Sequence, residues 1–165
     1  MIYLLSRILI SILIFYVLFR LYDIYFNNLT YVKSERDGKK YKVRNIKTKV
    51  EAADLLAELR ERLEKLSNNL KNKYGKKNQC INLIQKRFRP RNISEVPEHS
   101  KNTSYSVNKG EKLVFCIRPK DEREAFHEIN LLMFVAIHEL AHVGSISIGH
   151  NDEFYDNFVF LLKEA

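Results

Sequence analysis

His138 and His142 are spaced to bind one metal ion, and Glu139 directly follows the first of them. On an α-helix, residues four apart project from the same face, so the two imidazoles can share a zinc ion. A glutamate in this place is the type of residue that acts as the general base for a water molecule in zinc hydrolases. The spacing predicts a hydrolytic zinc site in which His138 and His142 are metal ligands and Glu139 is catalytic.

The segment that carries these residues is strongly apolar. Residues 129–137 precede the motif with one polar residue, Asn130, and Leu140, Ala141 and Val143 interleave with it. A helix that is apolar nearly all round is buried, and buried histidines without partners carry a desolvation cost that a bound metal offsets. Two alternatives to a metal site are a polar patch on an exposed helix, and core histidines whose hydrogen bonds are satisfied within the protein.

Capping residues predict where this helix begins and ends. Asp121 and Glu124 resemble a capping box, so we expect a helix over about residues 122–143. Gly144 suits a C-terminal cap that turns the chain, which allows a later residue to return to the metal.

A catalytic zinc site usually has three protein ligands and keeps one position for water. His150 is the candidate for the third ligand, because it follows the short segment 145–149 and precedes a helix capped by Asn151. Glu153 and Glu164 are the alternative ligands. The predicted cofactor is Zn²⁺, and the predicted metal ligands are His138, His142 and His150.

The three histidines, with Phe154 four residues after the last of them, resemble the WLM and SprT-like group of minimal zincin metallopeptidases. Segments 52–57 and 103–118 also resemble small membrane-anchored WLM-like metallopeptidases of large DNA viruses, so the similarity covers about residues 30–165. The interval between the second and third histidines is longer than in typical WLM proteins. The resemblance implies a zincin fold, a bound zinc ion and peptide-bond hydrolysis.

Hydrophobic periodicity predicts the elements that must position the site. Alternating residues on both sides of Asp37 and Gly38 predict a β-hairpin, and leucines three and four apart after Thr48 predict a long amphipathic helix that ends at Gly75. We expect the leucine stripe to face the domain's own core, with a self-associating coiled coil as the alternative. The other predicted elements are a short helix over 80–87, a polar connector over 90–110, a buried strand over 111–118 and a final helix over 152–164.

These elements predict an α+β fold class. We expect a minimal zincin-like domain, in which a small β-sheet packs on the buried metal helix, the long amphipathic helix and the C-terminal helix. By the resemblance, the strand over 111–118 is expected to border the cleft and to pair with an extended substrate peptide.

The predicted reaction is the Glu139-assisted attack of a zinc-bound water on a peptide carbonyl, with a peptide or protein as substrate. Tyr105, Arg118 and Tyr155 are candidates for a second oxyanion donor. One alternative is a catalytically inactive zincin fold that serves as a membrane-tethered binding or scaffolding protein. Another is a small metal-free helical membrane protein that pairs through its leucine stripe.

The first 27 residues differ in kind from the rest. Ile8–Phe19 carries no charge, Arg7 and Arg20 bracket it, and no small-residue cleavage site follows it. Residues 1–27 are therefore predicted to be an N-terminal transmembrane anchor helix in contact with membrane lipid, and residues 28–165 a zincin-like metallopeptidase domain. An interfacial helix and a signal peptide are the alternatives. Basic residues soon after the anchor predict a single-pass membrane protein with a cytosolic catalytic domain.

The chain carries a formal net charge of +8. This charge is typical of a solvated surface attracted to anionic lipid headgroups, and nucleic acid is a less favoured partner whose densest basic patch is residues 86–91. Two cysteines, Cys80 and Cys116, fit a reducing compartment and require no disulfide.

Overall fold

The computed structural model describes residues 2–119 and 125–165. The predicted α+β class is confirmed, because the described residues form five helices and one five-stranded sheet. In chain order the elements are α1 (Ile2–Asn27), β1 (Leu29–Lys33), β2 (Lys40–Arg44), α2 (Lys49–Tyr74), α3 (Gln79–Arg87), β3 (Ile93–Glu95), β4 (Tyr105–Val107), β5 (Lys112–Phe115), α4 (Ile129–Gly144) and α5 (Asp152–Glu164). A 3₁₀ turn, Gly75–Lys77, joins α2 to α3.

The sheet has the strand order β1-β2-β3-β5-β4. The outer pairs β1–β2 and β4–β5 are antiparallel, while β3 runs parallel to both β2 and β5. The predicted hairpin is confirmed as β1 and β2, and its turn contains Gly38 in the left-handed region at φ 70°. The predicted peptide-binding strand over 111–118 is corrected, because β5 has a neighbour on each side and β4 forms the edge of the sheet.

The polar connector predicted over 90–110 contains two strands, β3 and β4. β3 is fully buried although it includes Ser94 and Glu95. Glu95 is buried because its carboxylate accepts hydrogen bonds from the Arg118 guanidinium at 2.8 Å and from the Arg44 backbone N–H at 2.8 Å. Because the partner of Glu95 lies outside the segment, the sequence of β3 appears polar, and hydrophobic periodicity does not identify it as a core strand.

One face of the sheet packs against the helices. Alternate strand residues share a face, and the register places Tyr41, Val43, Ile93, Leu113 and Phe115 on the same side. All of these side chains belong to the hydrophobic core, together with the apolar faces of α2, α3, α4 and α5. The metal-motif helix α4 packs against α2, α3 and α5 and reaches β4 and β5.

The long helix α2 is confirmed from Thr48, its N-cap residue, to Gly75, which lies in the left-handed region at φ 57°. Its leucine stripe is buried in the domain core, so the structure contradicts the self-associating coiled coil. The Thr48 side chain does not cap the helix; it accepts a hydrogen bond from the Arg118 guanidinium. The predicted helices over 80–87 and 152–164 correspond to α3 and α5, whose N-cap residues Asn78 and Asn151 accept backbone N–H hydrogen bonds.

The metal-motif helix is shorter than predicted. It begins at Ile129, and residues 125–128 lie outside any helix; Asp121 and Glu124, the expected capping pair, lie outside the described residues. Gly144 is the last helical residue, and the chain turns at Ser145. A glycine is needed at 144 for space, because a Cβ atom there would overlap the Cys80 Sγ atom.

Helix α1 is apolar, and its described large side chains between Ile8 and Tyr22 are exposed. Within the part of the chain that the structure describes, no helix combines the length and the apolar character that a membrane span requires. The finding contradicts the predicted transmembrane anchor and single-pass membrane localisation. The uncharged run Ile8–Phe19 is shorter than the roughly 20 residues that a span needs.

Candidate metal centre

Helix α4 presents His138 and His142 on one face and buries Glu139, which is 5% exposed. The third predicted ligand, His150, lies in the loop between α4 and α5. The His150 Nε2 atom is 3.1 Å from the His138 Nε2 atom and 3.2 Å from the His142 Nε2 atom. The structure therefore brings together the three histidines that the sequence singles out.

The geometry of these nitrogens fits a zinc ion. In a tetrahedral site with Zn–N distances of 2.0–2.1 Å, two ligand nitrogens lie about 3.3 Å apart, close to the two separations seen here. Ligand atoms of all three imidazoles lie within 4.8 Å of one another. A set of three imidazole nitrogens is also the chemistry that zinc prefers in catalytic sites.

Burial keeps the two helical imidazoles in the neutral form that binds metal. Burial lowers the pKa of His138, and the neighbouring His150 lowers it further. Burial also lowers the pKa of His142, to about 4, with further contributions from His138, His150 and Lys109. Because protons compete with metal for imidazole nitrogen, both shifts favour metal binding at neutral pH.

Phe154, in the first turn of α5, contacts all three imidazoles. Its ring centroid lies 4.8 Å from that of His138, 4.3 Å from that of His142 and 4.7 Å from that of His150. Phe154 is almost completely buried. The final helix therefore supplies the apolar wall against which the three rings pack.

The Glu139 carboxylate lies beside the edge strand of the sheet. It accepts a hydrogen bond from the backbone N–H of Ser106 in β4. Burial raises the pKa of Glu139 to about 7, although this hydrogen bond acts in the opposite direction. A carboxyl group with a pKa near 7 suits a general base that works at neutral pH.

A cleft of about 600 Å³ opens over the three imidazoles and Glu139. Residues 103–106, 108 and 109 line one side, and residues 147–150 line the other. A second cavity of about 230 Å³ adjoins it, lined by Phe134, Val135 and the shared residues Thr103, Ser104, His138 and Glu139. The arrangement resembles a groove that passes a metal centre along the edge of a sheet.

Of the three oxyanion-donor candidates, Tyr105 lines the cleft. Arg118 is wrongly assigned to this role, because its guanidinium is buried against Glu95 and Thr48. Tyr155 is about half exposed on α5 and, as far as the chain is described, is absent from the cleft lining.

The two alternative ligands have other partners. Glu153 accepts hydrogen bonds from the backbone N–H groups of Ile146 and Ser147, and Glu164 pairs with Lys73 and Tyr74. Neither belongs to the cluster of potential ligands found among the described residues.

Sequence reasoning missed Ser106 and Lys109. Ser106 contacts Glu139 through its backbone, which leaves no trace in residue type. Lys109 donates hydrogen bonds to three carbonyl groups of the loop that carries His150. Asn108 and Gly110 indicate a turn around Lys109. The groups that the Lys109 side chain binds are more than 30 residues away in the chain, so no local sequence pattern identifies them.

Comparison with curated proteins finds two viral relatives. The chain is 34% identical over 137 residues to the uncharacterized protein R325 of Acanthamoeba polyphaga mimivirus, a match that covers 81% of this chain and 69% of that protein. It is 35% identical over 77 residues to the uncharacterized protein 136R of Invertebrate iridescent virus 6, covering 46% of this chain and 43% of that protein. No protein-family model matches the chain.

Comparison with solved structures finds the same fold in Wss1 from Saccharomyces cerevisiae, a WLM-domain protein. The TM-score is 0.53 at 22% identity, over 73% of this chain and 82% of Wss1. The crystal structure of a Wss1 mutant gives a TM-score of 0.54 at 21% identity. The resemblance to the WLM-like zincins is thus confirmed in the fold.

Proposed function

We propose that this chain, which belongs to one family with the mimivirus protein R325 and shares the fold of Wss1, is a zinc-dependent metallopeptidase of the WLM-like zincin type. The observation that carries the proposal is the convergence of three imidazole nitrogens in a cleft beside a buried glutamate. The fold shared with Wss1 agrees with the zincin fold that the sequence resemblance implies. We assign the activity to residues 28–165, which contain the whole sheet and the site.

His138, His142 and His150 hold the zinc ion in this proposal. When bound there, zinc supplies a Lewis acid that polarises the substrate carbonyl and activates the attacking water. Phe154 packs against all three rings and restricts their orientation. Fixed rings matter because a ligand set must keep its geometry when substrate enters.

Glu139 is the general base of the proposed reaction. Its carboxylate takes a proton from the attacking water and delivers it to the nitrogen of the leaving amine. The hydrogen bond from Ser106 N–H orients the carboxylate, and its burial excludes bulk water from the proton transfer. A pKa of about 7 allows the same group to accept and release a proton at neutral pH.

The substrate peptide is proposed to lie along β4. β4 is one of the two edge strands, and its Tyr105 and Ser106 line the cleft next to Glu139. An extended peptide can add to such an edge through backbone hydrogen bonds. In this proposal the cavity beside Phe134 and Val135 receives an apolar side chain of the substrate, and Tyr105, which lines the cleft, stays the candidate for the second oxyanion donor.

The test is a Glu139→Gln substitution assayed with a peptide library. We expect the variant to bind zinc as the wild type does and to lose about 10²- to 10⁴-fold in cleavage rate, because only the proton transfer is removed. Glu128→Gln, an exposed position just before α4, is the matched control and should retain full activity. Equal cleavage by Glu139→Gln would refute the base assignment, and a zinc-loaded wild type that cleaves no peptide would favour an inactive binding protein.

A further inference from the structure

The loop that carries His150 has few apolar contacts to hold it in place. Residues 145–151 connect α4 to α5 without regular structure. Ile148 is 90% exposed, and Ile146 is also exposed. The His150 ring packs against Phe154, but the backbone of residues 145–149 has no such apolar support, so polar contacts must fix the path of the loop.

Lys109 makes the polar contacts with the carbonyl groups of the loop. Its Nζ atom donates hydrogen bonds to the carbonyl oxygens of Ser145 at 2.9 Å, Ile146 at 2.5 Å and Ser147 at 2.6 Å. An ammonium group has three N–H donors, so all of them are directed at three successive carbonyls of the loop. These carbonyls follow the C-terminal end of α4, where the helix dipole favours a positive charge.

The turn that contains Lys109 has an unusual backbone conformation and packs against the end of α4. Asn108, Lys109 and Gly110 all have positive φ angles, of 46°, 52° and 106°. A Cβ atom on Gly110 would lie 2.8 Å from the Cγ1 atom of Val143, so the turn packs tightly against the end of α4. Two successive non-glycine residues in the left-handed region persist only where surrounding contacts hold them.

Glu153 holds the same loop from its other side. Its carboxylate accepts hydrogen bonds from the backbone N–H of Ile146 at 2.7 Å, from the backbone N–H of Ser147 at 2.9 Å and from the Ser147 hydroxyl at 2.5 Å. Lys109 therefore binds the carbonyls of the segment while Glu153 binds its amides. Arg87 adds hydrogen bonds to the carbonyls of Val143 and Ser145.

We propose that Lys109 is a positioning residue that, together with Glu153, fixes the 145–150 loop so that His150 completes the metal site. This inference rests on the proposed function, because it takes the three histidines as the zinc ligands. In this role Lys109 acts through the loop carbonyls that its Nζ atom binds, and not as a metal ligand. It determines how tightly the metal is held and whether the third imidazole stays bound.

The test compares Lys109→Met with Lys86→Met in the full chain. Both substitutions remove one positive charge and keep side-chain length, but Lys86 is exposed on α3 and has no described hydrogen bond or ion pair. Zinc affinity is measured by competition with a chelator, and the coordination number by the absorption spectrum of the cobalt(II)-loaded protein. We expect Lys109→Met to lose about 10- to 100-fold in zinc affinity, the range for groups that orient a metal ligand, and Lys86→Met to match the wild type.

The cobalt spectrum gives a readout that a general loss of stability would not move. Lys109→Met should shift the spectrum towards that of His150→Ala, because both variants loosen the same ligand. Lys109→Arg should restore only part of the affinity, because a planar guanidinium cannot point three donors at three successive carbonyls as an ammonium does. A Lys109→Met protein with wild-type affinity and spectrum would overturn the inference.

Two further measurements separate the possible failures. A wild-type chain that binds no zinc would refute the proposed function itself. If Lys109→Met does not fold, Glu153→Gln decides: a folded variant with weakened zinc binding supports the inference, and one with unchanged binding contradicts it. Where both single variants fold, their effects on affinity should be non-additive, since they act on one loop.

Discussion

Phe154 is the side chain on which the three imidazoles converge. It is buried, and it stacks on His142 with a centroid separation of 4.3 Å. We predict that Phe154→Ala lowers the free energy of unfolding by about 3–5 kcal/mol, as expected for a buried phenylalanine, and also weakens zinc binding. Urea unfolding of the metal-free protein and chelator competition measure the two effects.

The neighbouring Tyr155→Ala is the control for this prediction. Tyr155 is about half exposed and its ring contacts Phe154 at a centroid distance of 5.5 Å, so its removal should cost about 0.5–1.5 kcal/mol, less than the removal of Phe154. Zinc affinity that survives in Phe154→Ala would show that the ring packing does not organise the ligands.

At the scale of single residues, the spacing of the two helical histidines and Glu139 could be read from the sequence because one helix fixes it. His150 could be named as a candidate because it follows a short segment after that helix. Lys109 and Ser106 could not be found in this way. Both act through contacts between segments far apart in the chain, and one of them acts only through its backbone.

Among the elements, the close approach of α3 and α4 depends on Gly144. A Cβ atom at this position would overlap Cys80 Sγ and lie 3.3 Å from two side-chain carbons of Ile84. We predict that Gly144→Ala destabilises the protein by about 1–3 kcal/mol through overpacking. Thermal or urea unfolding of the metal-free protein checks the prediction.

A compensating substitution gives the control. Cys80→Ala removes the sulfur atom that an alanine at 144 would meet, so Gly144→Ala should cost less in that background. If the cost is the same with and without the sulfur, overlap with the Cys80 sulfur is not the reason that position 144 requires glycine.

Elements with strong periodicity were predicted well, and short or polar ones were not. The hairpin, α2, α3 and α5 have clear alternation, leucine spacing or asparagine caps. β3 was missed because Glu95 is buried only through Arg118 and Arg44, and β4 because three half-buried residues carry little pattern. The start of α4 was placed too early because a capping-box pattern alone does not make a helix.

Across the whole molecule, the hydrophobic core lies within residues 41–161, and no described side chain of α1 belongs to it. We predict that a chain of residues 28–165 folds and binds zinc with the affinity of the full-length protein. Circular dichroism, thermal unfolding and chelator competition compare the two chains. Loss of cooperative unfolding in the shorter chain would mean that α1 contributes to the fold.

The net charge of the chain can be counted from the sequence, but the sequence does not show which charged side chains bind groups within the protein. Arg87 lies in the densest basic patch, yet its guanidinium binds the carbonyls of Val143 and Ser145 at the end of the metal helix. The guanidinium groups of Arg118 and Arg44 likewise form ion pairs with Glu95 in the interior. Part of the positive charge therefore serves the fold instead of a surface for anionic partners.

X-ray absorption spectroscopy of the zinc-loaded full chain, with metal content measured on the same sample, tests whether three histidines hold one zinc ion. We predict one zinc per chain with three imidazole nitrogens at about 2.0–2.1 Å, and one nitrogen fewer in His150→Ala. A chain that takes up no zinc, or a His150→Ala variant with the same nitrogen coordination as the wild type, would contradict the site described above.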